Sequence, residues 1–257
     1  MHLPIYQVDA FTSTPFRGNP AAICPLESWL PDALMQSIAE ENNLAETAFY
    51  VREGEAYRIR WFTPTVEVEL CGHATLAAAS VAMQPGQSHI AFVSLSGNLA
   101  VDRDGDRYTL DFPCIAPKPA PSPAGLTEAL NTHPNQVLQG NFYMCVFDRE
   151  EQVQALSPDM AKLSQVDCFG IIATAPGENC DFVSRVFAPR AGIPEDPVTG
   201  GAHSTLIPYW SARLGKQQMF ARQISKRGGE LWCEDRGPRV GIGGNVVRYL
   251  EGRIRVP

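Results

Sequence analysis

The chain has 257 residues, 44% of them hydrophobic and 19% charged, with a formal net charge of −7. Such a length buries roughly three-quarters of the unfolded surface, and the composition excludes a disordered or membrane class. Without clustered Lys and Arg to meet phosphates, no nucleic-acid partner is expected, and no run approaches the ~20 apolar residues of a membrane span.

The opening "MHLPIYQVDAF" lacks a basic segment followed by a long apolar core, so no signal peptide is expected. The seven cysteines are odd in number and form no short-spaced pair, a pattern of reduced thiols and cytoplasmic location.

In chain order, "YQVDAF" reads as a strand. "LPDALMQSIAEENN" reads as a helix, with Pro31 in its first turn and Leu30, Leu34 and Ile38 on one face. Strands follow at "TAFYV", "RIRWF" and "VEVEL", the last two alternating apolar and charged residues. The helix "CGHATLAAASVAM" is next, then strands at "HIAFVSL", "NLAVD" and "RYTLDF". Five prolines between Pro113 and Pro123 exclude regular helix or central strand and predict a linker. Beyond it come a helix near "PAGLTEALN", strand "FYMCVFD", a helical "SPDMAKLSQ", strands "FGIIAT" and "DFVSRVF", the helix "GAHSTLIPYWSARLG" and strand-rich sequence to the end. The expected division is a half at 1–113, a linker at 114–123 and a second half at 124–257.

The two sides share their order of elements, and "GHATLAAAS" is echoed by "GAHSTLIPYW". An internally duplicated α+β unit follows, with two equivalent helix N-termini.

Two tempting motifs fail. "DRDGDR" lacks the Glu that closes a calcium loop, since Pro113 falls there, and Asp104-Gly105 reads instead as a hairpin turn. "GIGG" has Val246 where a dinucleotide fingerprint needs its third glycine, so no nucleotide cofactor is expected. None of the five histidines pairs with another at i, i+3 or i+4. His73 beside Cys71 would need metal-ligating partners from afar, so no metal site is expected.

What remains is chemistry by side chains and helix ends. Gly72 opens one helix, and Thr199, Gly200 and Gly201 precede the other. Unpaired N–H groups at a helix start carry a partial positive charge suited to a carboxylate. Two such ends would clamp one small anion. Glu46, at a helix-to-strand corner among Leu44, Ala45, Ala48 and Phe49, is the candidate acid/base, because apolar surroundings favour the neutral form of a carboxyl; a cap or a surface charge is the other reading of a lone Glu there. Asp196, before Pro197, reads equally as a second acid/base candidate or as only a turn residue.

"VDAFTSTPFRGNPAAIC", "NLAETAF", "FTPTVEVELCGHATLAAA" and "EDPVTGGAHSTLIPYW", with "VGIGGNVV" near the end, resemble the PhzF family of phenazine-biosynthesis-type isomerases. The resemblance implies the diaminopimelate epimerase-like fold: α+β, two pseudo-symmetric halves, each a barrel-like sheet around a central helix, with the site between them. It implies Glu46 as general acid/base, His73 as a polar partner in the proton relay, and Asp196 orienting the substrate. Backbone at Gly72 and Gly200 would face the substrate carboxylate, and Asn19 in "RGNP" is a further candidate. It also implies a cofactor-free proton shift on a small carboxylic acid, as in isomerisation of a dihydro-hydroxyanthranilate, and a homodimer. One position departs: the family motif usually reads TGSA, and Gly201 stands in place of its serine.

Two alternatives stay open. A two-thiol racemase would use Cys71 and a second cysteine on the opposite face, yet Asp196–Thr199 contains none. A catalytically silent small-acid binder would account for the lost serine.

Overall fold

The structure, a computed structural model, describes residues 1–54 and 56–257. The chain forms two compact units, Met1–Asp111 with Gly243–Pro257, and Phe112–Ile242. Both are mixed α+β, the fold class that the resemblance implies.

The first unit contains β1 (His2–Ala10), β2 (Asn19–Leu26), α1 (Asp32–Asn42), β3 (Glu46–Glu53), β4 (Ala56–Phe62), β5 (Glu67–Val68), α2 (Gly72–Ala82), β6 (His89–Ser94), β7 (Gly97–Asp104) and β8 (Arg107–Pro113). Asn43, in the left-handed conformation at φ 48°, ends α1 by donating its N–H to Ala39 O and Glu40 O. The turn at Gly105 joins β7 to β8 as expected, with Asp104 opposite Arg107. β1 pairs antiparallel with β2, β2 runs parallel to β3, β3 and β4 are antiparallel, β4 and β6 parallel, and β6 and β7 antiparallel. The final strand, Arg239–Arg255, pairs with β1 and also with β8, which closes an eight-stranded barrel.

At the barrel's centre lies α2, buried on nearly every side through Ala74, Leu76, Ala77, Ala78, Ala79 and Ala82. Small side chains let β1, β2 and β3 approach it closely. Against the other face of the sheet α1 packs, burying Met35, Ile38 and Ala39 with Phe49 and Phe62.

The second unit contains β9 (Lys118–Pro119), α3 (Leu126–Leu130), β10 (Gln136–Gln139), β11 (Tyr143–Val146), α4 (Glu150–Gln154), α5 (Met160–Leu163), β12 (Ile171–Pro176), β13 (Phe182–Ala188), β14 (Ile193–Asp196), α6 (Gly200–Leu214), β15 (Gln218–Gln223) and β16 (Gly229–Asp235). β9 to β10 is antiparallel, as is β10 to β11. β11 to β12 is parallel, β12 to β13 antiparallel, β13 to β15 parallel and β15 to β16 antiparallel. This repeats, strand for strand, the order of the first unit, with α6 taking the place of α2. Trp210 of α6 is fully buried, stacks on Phe182 at 5.6 Å and donates its indole N–H to Thr174 Oγ1 at 3.0 Å.

Three stretches differ from expectation. Residues 243–257, expected with the second half, join the first unit, because their backbone completes the barrel beside β1. Residues 114–123 are no free linker. Pro208 has no N–H to offer the Ser204 carbonyl four residues back, and Ile115 N–H takes that acceptor instead at 3.0 Å; β9 then adds to β10. "VEVEL" forms strand only at Glu67–Val68, where the Arg60 guanidinium grips both Glu67 oxygens at 2.7 Å.

Among the described residues no helix is long and apolar enough to cross a membrane, and all seven cysteines are free thiols.

Candidate active site

In the first unit three chain segments bring polar side chains to one buried point. β2 begins at Asn19 because Gly18, at φ +64°, turns the chain where any Cβ would strike the Ala10 carbonyl oxygen. The preceding loop is anchored by Phe16 N–H on the buried Asp9 carboxylate at 2.9 Å. The parallel register sets Glu46, first residue of β3, beside Ala21. His73 is the second residue of α2, behind the N-cap Cys71, whose side chain does not cap the helix.

The His73 ring is held on both edges. Glu46 Oε2 stands 3.1 Å from Nε2, while Asn19 Nδ2 lies 3.2 Å and Cys71 Sγ 3.5 Å from Nδ1. The 3.1 Å approach of Glu46 and His73 is a charge contact rather than an aligned hydrogen bond, and neither of those two atoms has a hydrogen-bond partner among the described residues. Glu46 is 9% and His73 5% exposed. With its amide nitrogen toward Nδ1, Asn19 places the imidazole proton on Nε2, facing the carboxylate; turning the amide over presents Oδ1 to a doubly protonated ring.

Burial is the largest influence on His73 and favours the neutral ring. The contacts with Cys71 and with the Glu46 carboxylate outweigh it and raise the imidazole well above its ordinary value. Cys71 is itself pushed up to about 11, first by burial and then by the Glu46 charge. It is therefore a neutral thiol at neutral pH, and Glu46 is the partner that holds the proton on His73.

Ligand atoms of Glu46, Cys71 and His73 lie within 4.8 Å of one another, a set that three-ligand metal chemistry could use. Glu46, however, contacts Nε2 and Cys71 contacts Nδ1, so the two do not meet at one ring nitrogen in this arrangement.

In the second unit, Asp196 ends β14 and its Oδ2 accepts the Thr199 hydroxyl at 2.6 Å. Gly200 and Gly201 open α6 behind the N-cap Thr199, which makes no side-chain cap bond. Counted from the N-caps, Gly201 holds the position that His73 holds in α2. His203 donates Nδ1–H to Thr199 O at 2.9 Å, leaving Nε2 buried without a hydrogen-bond partner among the described residues; burial lowers the ring to about 4. The structure thus joins Glu46, His73 and Asn19 in one unit and Asp196, Gly200 and Gly201 in the other.

Where a Cβ at Gly201 would stand, no atom of the described residues lies within 4 Å beyond its chain neighbours and the backbone of its own helix. Gly201→Ser is therefore expected to fold normally and gain about 0.5 kcal/mol from the better helix former, read as a higher urea midpoint; a loss of 1 kcal/mol or more would mean hidden crowding.

Sequence reasoning gave no role to Gln223 and Ser225, which brace the Asp196–Thr199 loop from β15 and the residues after it. The only local signal is their two-residue spacing, which points both side chains to one face of an extended chain.

The family model for phenazine biosynthesis-like proteins matches residues 8–252. An uncharacterised isomerase of Pseudomonas aeruginosa is 53% identical over the full length of both chains. The crystal structure of a PhzF-family phenazine biosynthesis protein from Enterococcus faecalis shares 46% identity, covers 100% of both chains and superimposes with a TM-score of 0.97. At 10% identity, a hydroxyproline epimerase from Agrobacterium vitis covers 98% of this chain and 91% of its own with a TM-score of 0.63, a likeness of fold alone. With its whole barrel-and-helix repeat and nearly its whole length matched, this chain belongs to the PhzF family of phenazine biosynthesis-like proteins.

Proposed function

We propose that the protein is a cofactor-independent isomerase that moves a proton on a small unsaturated or amino carboxylic acid. The observation that carries the reading is the buried contact between Glu46 and His73, 3.1 Å apart at the start of α2. The name of the P. aeruginosa relative, an isomerase, supports the reaction class.

In the proposed step the Glu46 carboxylate takes a proton from a carbon conjugated to the substrate's unsaturated system. The C–H bond breaks, its electron pair spreads through that system, and the proton returns from Glu46 to another carbon, so nothing is oxidised and no group leaves. His73 compensates the carboxylate's charge and hands protons on. Asp196 orients a polar group, and the amides at Gly72 and Gly200 receive the substrate carboxylate. Asn19, fully buried, acts through His73. A homodimer in the cytoplasm belongs to the same proposal.

The test is a panel of small acids, a dihydro-hydroxyanthranilate and amino acids among them, incubated in D2O with metal-stripped protein. NMR follows both isomer formation and deuterium uptake. Turnover that survives metal removal and disappears in Glu46→Gln supports the reading. Cys71→Ala keeps most activity, since a thiol raised to about 11 is a poor base at neutral pH; its loss would favour the two-thiol racemase. The open space at Gly201 gives a specific reason to keep the silent binder in view, and tight binding of an acid without any exchange would establish it.

A further inference from the structure

Threonine ahead of a helix ordinarily turns its hydroxyl back to accept an N–H of the first turn. Thr199 does not cap α6. Its hydroxyl donates instead to Asp196 Oδ2 at 2.6 Å and accepts from Gln223 Nε2 at 3.2 Å. The same Nε2 donates to the Asp196 carbonyl at 2.8 Å, and Gln223 Oε1 accepts Thr199 N–H at 2.9 Å. Because a backbone N–H only donates and a carbonyl only accepts, these partners fix the orientation of the Gln223 amide. Gln223 is wholly buried at the end of β15. Two residues on, Ser225 Oγ donates to Pro197 O at 2.7 Å and accepts Gly228 N–H at 3.1 Å.

We propose that Gln223 is a positioning residue that keeps the Thr199 hydroxyl off the end of α6. The hydroxyl is then committed to Asp196, and the first-turn amides of Gly200, Gly201 and Ala202 are left uncapped for an acidic group. The importance of this for catalysis rests on the roles proposed above for Asp196 and Gly200. The grip itself is a matter of where one hydroxyl points. Gln223 supplies both a donor and an acceptor, and the two are separable: leucine removes both, whereas glutamate keeps the acceptor for Thr199 N–H and loses the donor.

The experiment compares crystal structures and amide NMR spectra of the wild type, Gln223→Leu and Gln223→Glu, with inorganic phosphate titrated as the anion. In both variants the Thr199 hydroxyl is expected to leave Asp196 and accept the N–H of Gly201 or Ala202. Phosphate binding at the amides of Gly200, Gly201 and Ala202 then weakens about fivefold, the scale of one N-cap interaction. With any acid turned over by the wild type, KM rises while kcat holds. A Thr199 hydroxyl that stays on Asp196 in the variants overturns the proposal. If Gln223→Leu does not fold, Gln223→Glu decides by the same rotamer. Wild-type amides unmoved by phosphate would count against the anion-binding role of α6, whereas the Thr199 rotamer in the variants judges Gln223 on its own.

Discussion

Glu46→Gln is expected to lower kcat by roughly 10²–10⁴-fold, the usual contribution of a general acid/base, with KM little changed. The substitution keeps the size of the side chain and removes only its ability to take and return a proton. A group that acts in the transition state alone shows this split of kcat from KM. Stability suffers little, because His73, unlike a buried Arg or Lys, sheds its own proton once the carboxylate is gone, and no unpaired charge stays in the interior. Glu46→Asp, which retracts the carboxylate by one methylene, recovers part of the rate. Thermal melts within a few degrees of wild type, with the rate lost, are the predicted pair of results. A Glu46→Gln enzyme retaining more than a tenth of wild-type kcat would remove the carboxyl group from the mechanism.

The second large effect is on stability against pH, where two buried histidines act with opposite signs. His203 sits at about 4 in the folded chain against 6.5 for the free side chain, so between these values the unfolded chain binds the extra proton. Its contribution is complete above pH 6.5 and is lost on acidification towards pH 4, by about 3 kcal/mol in total. His73 is raised, so its contribution is complete below 6.5 and fades as the pH climbs through its folded value. Together the two place the optimum near neutrality. Urea denaturation of wild type and His203→Gln from pH 4 to pH 8 isolates the first arm: the wild-type loss below 6.5 should shrink by about that amount in the variant. An NMR titration placing the His203 ring near 6.5 would refute the assignment.

The features legible in the chain were those written by near neighbours. The run of alanines after Gly72 spells a helix, and the left-handed Asn43 ends α1 where polar residues gather. Glycine 105 makes a two-residue hairpin whatever surrounds it. β2 stayed hidden because Pro20 and Pro25 argue against a central strand, yet it is paired on both sides. The proline-rich segment misled for the complementary reason. Low helix propensity says nothing of the carbonyl that Pro208 leaves open for Ile115.

By itself, then, the sequence determined the two helix starts, the duplicated order of elements, the chemically capable residues and, through four ordered motifs, the family. Only the tertiary structure decided that Glu46 faces His73, that Asn19 and Cys71 share the other edge of the ring, that the last strand closes the first barrel, and that Gln223 restrains Thr199. The reason is physical. Propensities and caps act over a few residues, whereas these contacts depend on strand register and on burial, which come into being when distant segments pack together.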